Sequence, residues 1–247
     1  MLPKKILDTE YFVWGDQPQL LLTSGMHGDE IQVTRVLKKY IEPNYQKLPS
    51  FVYIPMISRT ACAIGSRRNE NRKDLNRSFI SGTSEREVQA VMQIVSSYKF
   101  NLAIDFHEDR DRTTSFYLYD NCGRIETPAW KRITQKMAKI GVSMYEGWDD
   151  PEDPDLGHKV KQGYLPITID QLKTDMGFMS GWLIRNGISP RVIDPEILGK
   201  ASLETKKKIV EVLIEEFALL KYKRHDKQIS QEDHSPDHLV VRRNQSP

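Results

Sequence analysis

Cysteine is scarce in this chain: Cys62 and Cys122 are the only two among 247 residues. A disulfide framework is unnecessary at this length, and two thiols cannot furnish a cysteine-rich zinc site. Both are therefore read as unpaired, buried or half-buried thiols. Long apolar runs are missing too. No stretch reaches the roughly eighteen consecutive apolar residues that a membrane-spanning helix needs, and the opening MLPKKILDTEYFVWGD lacks the apolar core of a secretory signal. The expectation is a protein with no membrane partner, cytoplasmic by default. A strong charge of either sign is also absent. Lys and Arg number 36 against 34 Asp and Glu, a formal net charge of +2 with the signs interspersed. That removes the electrostatic argument for nucleic acid as a partner. No internal repeat is visible, and the length suits one sizeable domain.

What is present alternates. Apolar runs that read as strands (Tyr11–Trp14, Gln19–Ser24, Phe51–Ile57, Leu102–Phe106, Ser115–Tyr119, Arg191–Ile193) are interleaved with helical patterns beginning near Glu30, Ser84, Pro128, Met176 and Ser202. This is the pattern of an α/β sheet with crossover helices. After Glu30, Val33, Val36, Leu37, Tyr40 and Ile41 share one helix face. Ser84 and Glu87 have the spacing of a capping box. Lys206, Lys207 and Lys208 read as a solvated helix face rather than a phosphate-binding patch. Residues 1–223 form the expected domain, and 224–247 a polar, disordered or loosely attached tail whose His225, His234 and His238 are not assigned as ligands. The acidic, Pro- and Gly-rich stretch 147–158 reads as a solvated surface loop, since it lacks calcium-ligand spacing.

The chemistry-bearing residues lie where these patterns change. In QLLLTSGMHGDE, His27 and Glu30 form an H-x-x-E pair at a strand-to-helix turn, a spacing that lets imidazole and carboxylate converge on one ion. His107, in LAIDFHED, sits at another predicted strand end, where open α/β sheets build their sites. Asp105 shares its strand face and could hold its second ring nitrogen, a job open to Asp74 as well. Between these motifs runs GSRRNENRKDLNRSF, the densest cationic stretch, in which Asp74-Leu75-Asn76-Arg77 offers an amide and a guanidinium suited to gripping a carboxylate.

The ordered set of H-x-x-E, an arginine followed by D-L-N-R, and a histidine in D-F-H resembles the zinc carboxypeptidase superfamily, over roughly residues 18–220. That superfamily includes peptidoglycan-peptide amidases, aspartoacylase and succinylglutamate desuccinylase. The resemblance implies a single α/β domain with a mixed, mainly parallel twisted sheet flanked by helices. It implies zinc as cofactor, with His27, Glu30 and His107 as its ligands, and Asn76 and Arg77 as the grip on the substrate's carboxylate. It further implies a carbonyl-polarising arginine, for which Arg67 matches best and Arg68 and Arg72 compete. The general base is expected before the last helix, in NGISPRVIDPEILGK. Glu196 is the choice, with Asp194 and Asp170 as alternatives. The substrate class is then a peptide or N-acyl amino acid with a free carboxylate, the short segment after Glu196 favouring a peptidase or amidase over a deacylase. Substrate preference is expected in the segment from Asp175 to Arg185, where Trp182 and Arg185 read more simply as core packing and a solvated charge. The rival class is a non-catalytic binding protein of the same fold, suggested by the irregular Asp194–Glu196 segment.

Overall fold

The structure, a computed structural model, describes residues 1–149, 157–172 and 176–219. The tail at 224–247, Asp175 and the middle of the acidic loop lie outside the described residues.

Leu20, Leu21 and Leu22 are fully buried in β3 (Leu20–Ser24), near the middle of the main sheet. On one side β3 pairs in parallel with β4 (Phe51–Ile54), and beyond it an antiparallel edge is made by β2 (Thr9–Trp14) and β1 (Pro3–Ile6). On its other side it pairs in parallel with β5 (Leu102–Asp109), which pairs in parallel with β11 (Val192–Leu198). Next comes β6 (Ser115–Asn121), antiparallel to β11, followed by β10 (Tyr164–Ile167) and the two-residue β7 (Ser143–Met144), both parallel to β6. A separate two-stranded ribbon joins β8 (Gly147–Trp148) to β9 (Lys159–Val160). The sheet is mixed and mainly parallel, and helices cover both faces.

The apolar stripe Val33, Val36, Leu37 and Ile41 drives α1 (Ile31–Asn44) onto one face, together with α4 (Thr127–Lys139) and α6 (Leu203–Ile214). The other face carries α3 (Arg86–Val95) and α5 (Met179–Arg185), packed through Val88, Val91, Ile94, Met179 and Leu183. Each such side chain contributes roughly 1.5–3 kcal/mol on burial. Ser202 caps α6 by accepting from the Thr205 N–H at 3.1 Å.

The structure corrects several boundaries. β4 stops at Ile54, because Pro55 cannot extend the ladder. β5 runs through His107 to Asp109, so His107 is inside the strand. β11 runs through Asp194-Pro195-Glu196, a stretch that reads locally as a turn. Its pairing with β5 lapses at Asp194 and Pro195, where the proline has no N–H to give, and resumes at Glu196. The Ser84–Glu87 capping box does not form: α3 begins at Arg86 after Glu85. Glu87 instead accepts from Ser58 Oγ (2.9 Å), Thr60 N (2.8 Å) and Thr60 Oγ1 (3.0 Å), holding the start of α2 (Arg59–Ile64), an element the sequence reading missed. Lys206 is no part of a solvated face. It is fully buried, and its Nζ donates to Glu108 Oε2 (2.6 Å), Gln32 Oε1 (2.7 Å) and the Gly199 carbonyl (2.8 Å).

Candidate active site

Three strands deliver the site from their C-terminal ends. β3 ends at Ser24, and the chain turns through Gly25, held at φ +66°, a conformation that favours glycine. His27 follows, and Gly28 then presses against α2 so closely that a Cβ there would fall 1.8 Å from the Ala61 carbonyl oxygen. Its N–H donates to the Ser66 carbonyl at 2.8 Å. The single turn Gly28–Glu30 brings Glu30 back beneath His27.

Glu30 lies between the two histidines. Oε1 is 2.6 Å from His27 Nδ1, and Oε2 is 3.0 Å from His107 Nδ1, while the Glu108 N–H also donates to Oε2 at 3.1 Å. One ligand atom from each of His27, Glu30 and His107 falls within 4.8 Å of the others, and all three residues are buried. Both outer ring nitrogens face carboxylates: Asp105 holds His107 as the sequence suggested, whereas Asp74 serves His27 and not His107. His107 Nε2 faces Asp105 Oδ2 at 2.9 Å and His27 Nε2 faces Asp74 Oδ1 at 3.1 Å. Thr23 Oγ1 in turn donates to Asp105 Oδ1 at 2.7 Å. Two imidazole nitrogens and a carboxylate, with carboxylates fixing both rings from behind, make a donor set that fits a zinc ion.

The electrostatics follow from this packing. Burial alone would raise Glu30, but the charges and hydrogen bonds of His27 and His107 hold it well below the usual carboxylate range. Burial pulls both histidines down, yet they end above the ordinary value: His27 through Glu30 and Asp74, His107 through Asp105 and Glu30. Glu196 is pushed up to about 8, by burial first and then by the nearby charges of Glu30 and Asp109, against the opposing pull of His107 and His27.

Glu196 is the cross-strand partner of His107 in the parallel register of β11 and β5, so the two side chains leave the same face of the sheet. Both line a cleft of about 600 Å³ that also takes in His27, Glu30, Arg67, Asn76 and Arg77. The three candidate metal ligands, Arg67, Asn76, Arg77 and Glu196 thus border one cavity. Arg67 points Nε and Nη2 at Asp74 Oδ2, at 3.1 and 2.9 Å, and of the three candidate arginines it alone lines the cleft. Asn76 accepts from the Met179 N–H at 3.1 Å through Oδ1, which leaves its amide nitrogen as the group to address a ligand. The Arg77 guanidinium lies 4.0 Å over the Phe178 ring.

Of the base alternatives, Asp194 borders the cleft beside Glu196, whereas Asp170 sits in the turn Ile169–Gln171 away from its lining. From the segment expected to set preference, Met176, Phe178 and Ser180 line the cleft; Trp182 instead packs on Phe79, and Arg185 donates to the Leu172 carbonyl. Tyr117, Tyr119 and Asn121 of β6 are further lining residues that the sequence reading did not single out. Period-two alternation along Ser115–Asn121 was the available signal, but it needed the β6–β11 register to become meaningful.

Fold and site together define a member of the zinc carboxypeptidase superfamily. More narrowly, the chain belongs to the succinylglutamate desuccinylase/aspartoacylase catalytic-domain family, which matches residues 16–146, just over half its length. No curated protein matches it. Among solved structures, the fold is shared with a provisionally named metallopeptidase from Shewanella baltica at 15% identity and TM-score 0.67, over 88% of this chain and 85% of that one. It is shared with a metallo-carboxypeptidase from Burkholderia cenocepacia at 13% identity and TM-score 0.59, over 88% and 61%. An aspartoacylase family protein from Mesorhizobium loti matches at 16% identity and TM-score 0.52, over 85% and 61%.

Proposed function

We propose that the protein is a zinc-dependent hydrolase that cleaves an amide bond next to a free carboxylate in a peptide. The observation that carries this reading is the juxtaposition of Glu196 with His107 across β11 and β5, which sets an unligated carboxylate beside a three-residue donor set on the wall of one cleft. His27, Glu30 and His107 would hold the zinc ion, which would supply Lewis acidity and lower the pKa of a bound water to about 7.

The chain's own groups do the rest. Asn76 and Arg77 grip the substrate's carboxylate and so fix which amide enters. Glu196, with an acidity poised close to neutrality, takes the proton from the attacking water and returns it to the departing amine. Arg67, at the same wall, can exchange part of its bond with Asp74 for the carbonyl oxygen as negative charge develops there. Asp105 and Asp74 keep both imidazoles in one orientation throughout.

A second reading, deacylation of an N-acyl amino acid, is favoured by the family match over residues 16–146. A panel of peptides and N-acyl amino acids, each with a free or an amidated carboxylate, separates the two. We expect turnover of free-acid peptides with a stoichiometric zinc ion, and a drop on the order of 10²–10⁴ in kcat for Glu196→Gln with zinc retained. Wild-type rates in Glu196→Gln would overturn the base assignment, and stoichiometric zinc in His27→Ala or His107→Ala would overturn the ligand set. Full zinc occupancy without turnover of any substrate would point to a binding protein instead.

A further inference from the structure

Arg67 must meet a developing oxyanion in the hydrolysis outlined above, yet it stands on an exposed loop outside any helix or strand. Asn69 is the one buried residue in the run 65–73, and the loop folds around it. Its Oδ1 accepts from the N–H groups of Asn71 (3.1 Å) and Lys73 (2.9 Å), and its own N–H donates to the Lys73 carbonyl at 2.9 Å. The Asn69 carbonyl accepts from the Arg72 N–H at 2.8 Å, with Arg72 held at φ +59°, a left-handed conformation that a side chain disfavours. A backbone kept in that region needs surroundings that fix it.

The start of α3 supplies them. Glu85, the residue before that helix, is buried and makes no capping bond to it. Its Oε2 instead accepts from Asn69 Nδ2 at 2.6 Å and from Asn71 Nδ2 at 3.3 Å, and among the described residues no lysine or arginine pairs with it. A buried carboxylate held by amides alone is costly to maintain, and capping does not account for it. Two residues further on, Glu87 takes Ser58 and Thr60 at the start of α2. The chain from Thr60 to Asn69, which carries Arg67, is thus pinned at both ends to one turn of α3. From that backbone the Arg67 guanidinium reaches Asp74 Oδ2 and the wall of the cleft.

We propose that Glu85 and Asn69 are positioning residues for Arg67: their hydrogen bond sets the backbone from which the guanidinium meets the reacting carbonyl. This rests on the hydrolase reading, because the oxyanion that Arg67 stabilises belongs to that reaction. Neither residue lines the cleft, so their effect passes through Arg67 rather than through contact with substrate.

The test uses the zinc-loaded full chain, a free-acid peptide, and the phosphonate analogue of that peptide, whose charged oxygens imitate the tetrahedral oxyanion. Arg67→Ala is expected to lower kcat about 10²-fold. Glu85→Ala should lower it about tenfold or more, with KM within about threefold and zinc content unchanged. Added to Arg67→Ala, Glu85→Ala should cost no more than about twofold further, because its route to the reaction is already gone. Asn69→Asp sets two carboxylates together and should lose about as much as Glu85→Ala. Combining it with Glu85→Gln, which exchanges donor and acceptor, should return kcat to within about threefold of the wild type. Wild-type kcat in Glu85→Ala, equal losses from Glu85→Ala with and without Arg67, or no recovery in the exchanged pair overturns the proposal. The exchanged pair carries the test if Glu85→Ala fails to fold. Calorimetric binding of the phosphonate separates this proposal from the hydrolase reading. Binding about tenfold weaker in Glu85→Ala and in Arg67→Ala, beside a wild type that hydrolyses no amide, would keep the positioning and sink the hydrolase. Turnover by the wild type, with phosphonate bound equally by Glu85→Ala, would do the reverse.

Discussion

A polar residue near a metal-type site can be a nucleophile, a ligand or a bystander, and its surroundings decide. Cys62 lies directly under the His27 turn, its Sγ 3.7 Å from the Gly25 carbonyl oxygen. Burial, then the charges of Glu87, Glu30 and Asp29, push its thiol up to about 11. A thiol in acidic, apolar surroundings is a poor nucleophile, which leaves the chemistry to the histidine and carboxylate groups. The folded value lies above the unfolded one near 9, so the neutral thiol favours the fold. That contribution is complete below about pH 9 and is lost as pH rises towards about 11. We therefore expect iodoacetamide to label Cys62 of the native protein on the order of 10²-fold more slowly at about pH 8.5 than that of the urea-unfolded chain, judged from the thiolate fraction. Equal labelling rates, or hydrolase activity lost in step with labelling, would contradict this. Residue identities were the most legible part of the sequence. His27, Glu30, His107 and the Asp74–Arg77 run are local motifs, and the reading of Asp105 behind His107 followed from strand alternation; the pairing of Asp74 with His27 did not. The grip of Arg67 on Asp74 was not legible, because it depends on how a loop closes over seven residues rather than on any periodicity.

At the level of elements, the turn that presents His27 is only as firm as α2 behind it. Gly28 abuts Ala61 and donates to Ser66, while the first turn of α2 is tied by Ser58 Oγ, which accepts from the Ala61 N–H at 3.3 Å. Glu87 reaches across from α3 to take three donors of that same turn. Spacing alone suggested that Glu87 would fold back to cap its own helix with Ser84. Tertiary packing instead offered it three donors on a neighbouring element, a choice invisible to a window of sequence. The two accounts separate by mutation. Glu87→Ala should cost about 1–3 kcal/mol in urea unfolding, the worth of capping hydrogen bonds to a charged acceptor. Ser84→Ala should stay within about 0.5 kcal/mol, as for an exposed residue outside any network. The reverse ranking would restore the capping box. The strand holding Glu196 teaches the same lesson. Asp-Pro reads as a stop, and only pairing with β5 and β6 on either side carries β11 through it and sets Glu196 against His107.

The whole molecule is held together beneath the site by one buried cation. Lys206 joins α6 to Gln32 at the start of α1, to Glu108 near the end of β5 and to the Gly199 carbonyl just after β11, so three segments that feed the cleft share one ammonium. The other Glu108 oxygen accepts from the Val33 N–H, and the Glu108 N–H supports Glu30 at 3.1 Å. The α/β layout was legible because alternating apolar runs need only local pattern, and Ser202 marked the start of α6 correctly. The position of Lys206 was partly legible too: with Ile209, Val210, Leu213 and Phe217 it falls on one helical stripe, and all are buried. Composition argued for a solvated lysine run, whereas periodicity set Lys206 apart from Lys207 and Lys208, which are about half exposed and paired with Glu211 and Glu204. Removing one partner of a buried pair strands the other's charge. Lys206→Met is thus expected to cost about 3–5 kcal/mol in chemical denaturation. Lys207→Met and Lys208→Met should each change stability by no more than about 0.5 kcal/mol. Pairing Lys206→Met with Glu108→Gln should recover part of the loss, since the stranded carboxylate is then gone. If Lys206→Met unfolds like its two neighbours, the ammonium does not join these segments. The support it lends to Glu30 through Glu108 would then fall with it.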